Sequence, residues 1–138
     1  LVPTVSMEKI IDVPPEKVWT AASRFSDSPW LSFPVVIKKT GDPALFGAGT
    51  ERIVTIGGSR VYERLEAVEP PHSFAYRILS GSPVKDYLGK AEFSPVDSRT
   101  RVIWSATFVP LIPGTAWIVR IAITGIINKI FKVLESIE

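Results

Sequence analysis

With 138 residues, a formal net charge of +2 and no cysteine, the chain suits one domain and excludes disulfides, thiolate catalysis and cysteine-based metal sites. Its lysines and arginines are scattered rather than clustered, which argues against a nucleic-acid partner. A single histidine, and no carboxylate set at ligand spacing, leave no metal and no other cofactor to expect.

Taken in order, the opening LVPTVSMEKI lacks the basic-then-apolar layout of a leader, and position 1 is not Met, which leaves room for a few residues upstream. A chain without cysteine or leader fits a reducing cytoplasm. Residues 4–13 alternate as a first strand. Pro14-Pro15 stops that strand and opens a helix running through Ser23, because proline is tolerated in a first helical turn. Val18, Trp19 and Ala22 are its inward candidates. SDSPWLSF reads as a second short helical turn carrying Trp30, and Val35 to Lys39 as a strand. The glycines at 47, 49, 57 and 58 are no phosphate loop, since no Lys-Ser/Thr follows and no helix starts there. They read as a bulge before a strand and a two-residue hairpin turn. Twelve prolines mark many turns, which suits an antiparallel sheet.

Three hairpins give the sheet a register. Gly57-Gly58 places Val54 opposite Val61 and Arg52 opposite Glu63. The SGSP turn at 80–83 sets Tyr76 near Tyr87 and Arg77 near Asp86. SPVDSRT sets Phe93 near Val102, Ala91 near Trp104 and Tyr87 near Phe108. Because side chains alternate with period two, one face collects Val54, Val61, Leu65, Phe74, Tyr76, Ile78, Tyr87, Phe93, Trp104 and Phe108. The other face is largely charged. Gly89, Ala91 and Ala106 fall among the aromatics and are expected to leave open space there. Arg52 and Glu63 land on the buried face with the Tyr76 and Tyr87 hydroxyls, an arrangement that implies either a wet pocket or a structural ion pair.

The chain ends in TAWIVRIAITGIINKIFKVLESIE, one helix with an unusually wide apolar face. At about 100° per residue, Ala116, Val119, Ala122, Ile123, Ile126, Ile127, Ile130, Val133, Leu134 and Ile137 share it. Arg120, Asn128, Lys129 and Lys132 interrupt the stretch, so it is not expected to span a membrane. Trp117 and Ile121 lie i, i+4 on its polar side. They are candidates for a protein or membrane contact, including a homodimer through that side, unless the PLIPG loop at 110–114 folds over Trp117.

The segments IIDVPPEKVW (10–19), FSDSPW (25–30), GAGTERIVTIGG (47–58), RVYERLEAVEPPHSFAYRILSG (60–81) and TRVIWSATFVP (100–110), in this layout, resemble the SRPBCC helix-grip superfamily, which includes START domains, and its polyketide cyclase/dehydrase-like branch. The resemblance spans essentially the whole chain. It implies an α+β fold of about seven antiparallel strands wrapped around the last helix, with two short helices after the first strand. It also implies a cavity between sheet and helix, closed by the loop after the second strand and by nearby hairpin turns. The reading that follows is a binder of a hydrophobic small molecule, a lipid or an aromatic polyketide-like compound. Its apolar lining would come from Trp30, Trp104, Phe108, Val119, Ile123, Ile126 and Ile130, and its polar end from Arg52, Glu63, Tyr76 and Tyr87. Two rivals stay open: a cyclase or dehydratase using Glu63 and the tyrosines for proton transfer, and a protein-interaction module with no ligand.

Overall fold

The computed structural model describes residues 2–23, 35–39, 41, 47–56 and 58–137. Seven strands and two helices follow in the order β1 (Thr4–Ile11), α1 (Pro15–Ser23), β2 (Val35–Lys39), β3 (Glu51–Ile56), β4 (Ser59–Glu69), β5 (Ser73–Ser80), β6 (Val84–Val96), β7 (Arg99–Pro110) and α2 (Ala116–Glu135). The strands form one curved antiparallel sheet ordered β1-β7-β6-β5-β4-β3-β2, so that only the first strand leaves its sequence neighbours and closes against the last. The second short helical turn and Trp30 lie outside the described residues.

Local chemistry explains the corners. The Pro14 carbonyl accepts from the Lys17 and Val18 amides at 3.1 Å, starting α1 with Pro15 in its first turn, where a missing N–H costs nothing. The Thr100 hydroxyl donates to the Val13 carbonyl at 2.7 Å and pins this corner to β7. Trp19 of α1 meets Phe93 and Phe74 edge-on, at 5.7 and 6.2 Å between ring centroids. Before β3, Gly49 takes a positive φ of 90°, its amide donates to the Leu65 carbonyl at 2.7 Å, and the buried Thr50 hydroxyl donates to the Gly47 carbonyl at 2.8 Å. Glycine is needed at 49 because a Cβ disfavours that conformation.

The β3–β4 and β6–β7 ladders follow the register expected from their turns: Arg52 faces Glu63, Val54 faces Val61, Phe93 faces Val102 and Ala91 faces Trp104. The β5–β6 ladder differs. Tyr76 faces Gly89 and Arg77 faces Leu88, two residues beyond the expected partners. Separately, a bulge between Lys85 and Leu88, with Asp86 at φ 52°, interrupts the ladder to β7 beside Tyr87. An even shift preserves which side each residue faces, so the two faces sort as expected.

The C-terminal half of α2 packs into the sheet through Ile123, Ile127, Ile130, Phe131 and Leu134, each burial contributing about 1.5–3 kcal/mol. Phe131 falls outside the apolar face read from the sequence, although it continues Ile123 and Ile127 at i+4. The first two turns behave otherwise. No residue from Ala116 to Ala122 is fully buried, and that part of the helix stands off the sheet. Among the described residues, no helix is long and apolar enough to cross a membrane.

Candidate functional site

Where α2 stands off, a cavity of about 300 Å³ opens between helix and sheet. Its floor comes from alternating residues of neighbouring strands: Arg52, Val54 and Ile56 of β3, Val61 and Glu63 of β4, Tyr76 and Ile78 of β5, Tyr87 of β6 and Trp104 of β7. Val119, Ile123, Ile126, Ile127 and Ile130 of α2 form the roof. The turn from Gly81 to Val84 and Ser59 of the β3–β4 hairpin close one side. Ile118 and Ala122 of α2, like Ser59, Gly81 and Pro83 of the turns, line the cavity and are also exposed, so the volume approaches the surface on both sides.

Arg52 and Glu63 are 3% and 6% exposed. Arg52 Nε donates to Glu63 Oε1 at 3.0 Å, and Nη2 reaches the same oxygen at 3.0 Å. Glu63 Oε2 has no protein partner among the described residues, and none of their fully buried side-chain oxygens is left without one. Oε2 therefore borders the open volume. Burial pushes the Glu63 carboxyl above its usual range, against the opposing pull of Arg52.

Beside this pair, Trp104 Nε1 donates to the Tyr76 hydroxyl at 3.1 Å, and the Tyr76 and Tyr87 rings lie 6.0 Å apart. Burial, then the charge of Glu63, pushes Tyr76 up to about 12. Burial also raises Tyr87, whose hydroxyl interacts with that of Tyr76. Both phenols are thus neutral donors at physiological pH. The wall is apolar apart from one charge-matched pair, two phenols and Ser59 and Ser82 at the turns.

Arg52, Glu63, Tyr76, Tyr87, Trp104, Val119, Ile123, Ile126 and Ile130, singled out from sequence, meet at this one volume. Phe108 does not border it. It is fully buried in the solid core, because sharing a face with Trp104 says nothing about which stretch of the strand lies beneath the raised end of the helix. Gly89, Ala91 and Ala106 do not border it either, as the space above Gly89 is filled by the Tyr76 ring. The closing hairpin turns implied by the resemblance are there, at Gly81–Val84 and Ser59, although none of these residues was singled out individually from the sequence. Trp117 and Ile121 are 62% and 65% exposed, and the 110–114 loop does not cover them. His72, in the β4–β5 turn, is exposed. No group of three or more potential metal ligands occurs among the described residues.

The model of the family described as polyketide cyclase / dehydrase and lipid transport matches residues 2–135. No curated protein matches the chain. Among solved structures, Ara h 8.0201 is 22% identical with a TM-score of 0.76, covering 98% of this chain and 96% of that one. XoxI from Bacillus cereus is 23% identical with a TM-score of 0.75, covering 96% and 92%. A protein of Thermus thermophilus is 21% identical with a TM-score of 0.71, covering 96% and 94%. At these identities the structures share the fold.

Proposed function

Because the chain belongs to the polyketide cyclase / dehydrase and lipid transport family, a helix-grip family of the SRPBCC type, we propose that it binds a small, mostly apolar molecule between the sheet and α2. The observation that carries this reading is the cavity itself: about 300 Å³ bordered by isoleucine, valine and aromatic side chains, with one buried ion pair on its wall. A volume of this size sits at the small end of ligand pockets. At roughly 30 Å³ per water-sized unit it holds about ten non-hydrogen atoms, which favours a one- or two-ring compound or a short chain over a whole two-chain lipid. Native mass spectrometry of protein from its own host tests the reading. A co-purifying compound of that size is expected. Bare protein that also fails to take up apolar probes would refute it.

Glu63 favours a second reading, a proton-transfer enzyme of the cyclase or dehydratase type. Its second oxygen borders the cavity and burial pushes its carboxyl above the usual range, as suits a general base, with the neutral Tyr76 phenol as donor. Turnover of a polyketide-like substrate that disappears in Glu63→Gln while binding persists would establish it.

The exposed ridge beside the mouth serves, on this reading, to rest the protein on an anionic lipid surface from which the ligand enters. Leu111, Ile112, Trp117, Ile118 and Ile121 are all about half to two-thirds exposed, and Ile118 belongs to both ridge and cavity mouth. Arg120 and Lys132 of the helix and Lys85 of β6 are exposed, where anionic headgroups would complement them. The ridge offers on the order of 500 Å² of apolar surface, short of the ~800 Å² per partner of a stable protein interface.

A further inference from the structure

We infer that the polar end of the ligand is an uncharged hydroxyl, an alcohol or phenol, seated between Glu63 Oε2 and the Tyr76 hydroxyl; the inference rests on the cavity reading above. The Arg52–Glu63 pair is already charge-matched through two 3.0 Å contacts on Oε1. A carboxylate ligand would bring a second negative charge beside Glu63, and a cation a second positive charge beside Arg52. Either leaves an unmatched charge away from water, at a cost of several kcal/mol. A neutral group avoids both. Beside the pair the wall offers the acceptor Oε2, which only a donor satisfies, and the Tyr76 O–H as donor, its oxygen already accepting from Trp104 Nε1 and engaged with the Tyr87 hydroxyl. A hydroxyl both donates and accepts, so one group answers both positions. A ketone satisfies the tyrosine alone, and a plain hydrocarbon satisfies neither.

The test compares 2-naphthol, naphthalene and 2-naphthoate, one ring system with three ends, by fluorescence titration or calorimetry at neutral pH. Two gained hydrogen bonds predict that 2-naphthol binds about tenfold tighter than naphthalene, and more than that over 2-naphthoate. The preference for 2-naphthol over naphthalene should fall to about threefold in Arg52→Met/Glu63→Met, which replaces the pair by apolar groups of similar volume, keeps the cavity foldable and leaves only the Tyr76 hydrogen bond. Tightest binding of 2-naphthoate, or equal binding of naphthol and naphthalene, overturns the hydroxyl assignment while leaving the cavity reading intact. An undiminished naphthol preference in the double variant also overturns it. Failure of all three probes to bind overturns the cavity reading, and the assignment falls with it.

Discussion

The ring of Tyr76 lies across the bare backbone of Gly89, its cross-strand partner, where an added Cβ would fall 2.3 Å from the ring's Cζ. That slot lets the phenol reach Trp104 Nε1 and present its hydroxyl at the cavity. Gly89→Ala is therefore expected to push the ring aside, break the Trp104–Tyr76 hydrogen bond and cost about 1–3 kcal/mol. Thermal unfolding and tryptophan fluorescence would report both effects. Gly125→Ala is the control. A Cβ there meets nothing within 4 Å on α2, so the exchange should stabilise by about 1 kcal/mol through helix propensity.

The Arg52–Glu63 pair makes a prediction about non-additivity. Arg52→Met leaves a buried carboxylate without its partner and should cost about 3–5 kcal/mol in urea unfolding. Arg52→Met/Glu63→Met removes both charges and should recover most of that loss, or exceed the native stability. Equal destabilisation by the single and double variants would show that the pair is more solvated than its burial implies.

The sequence carried the framework of this site because turn chemistry and strand parity are local. Gly57-Gly58 fixed Arg52 opposite Glu63, and alternation then put both on the face of Val54 and Val61. The β5–β6 register was less legible. Where a hairpin turn centres has no strong residue signature, and a two-residue slip keeps every side chain on its expected face. The position of empty space was legible only in part. Gly89 marks a gap in the strand's own side chains, but whether it stays open depends on the reach of Tyr76 from the neighbouring strand. Phe108 and Trp104 share a face, yet only Trp104 borders the cavity. Phe131 shows the same principle from the helix side, since the arc of a helix that becomes buried widens where it meets more of the sheet.

Glu63 makes stability depend on pH in a defined direction. Its folded carboxyl titrates above the ordinary 4.5, because burial outweighs Arg52. Below 4.5 both folded and unfolded forms are protonated, and its contribution is fully present. As pH rises, the unfolded chain ionises first and that contribution falls, until the folded carboxyl has ionised too. Wild type should therefore lose stability relative to Glu63→Gln as pH is raised from about 4 toward neutrality. Urea midpoints of both proteins across that range check the sign. A gap that instead moves in favour of wild type would mean that Arg52 dominates and holds the carboxyl low.

Trp117 offers the test of the surface beside the mouth. Its side chain is 62% exposed, so Trp117→Ser should change stability by no more than about 0.5 kcal/mol. Burying the ring and the neighbouring Ile121 in the headgroup region should stabilise attachment by about 25 cal/mol per Å² of apolar surface. Exposed Lys132 should add about 1 kcal/mol against anionic lipid at low salt. Co-sedimentation with vesicles of phosphatidylcholine and phosphatidylglycerol should therefore fall about tenfold or more in Trp117→Ser/Ile121→Ser. Binding by wild type should weaken as salt is raised, because the lysine term is screened and the apolar term is not. Sedimentation velocity separates the competing occupant. If wild type sediments as a dimer that the double variant converts to monomer, and vesicles bind neither, the ridge is a self-association surface. If the two proteins sediment alike as monomers and only wild type binds vesicles, the ridge faces lipid, and ligand entry beside Ile118 happens at the membrane.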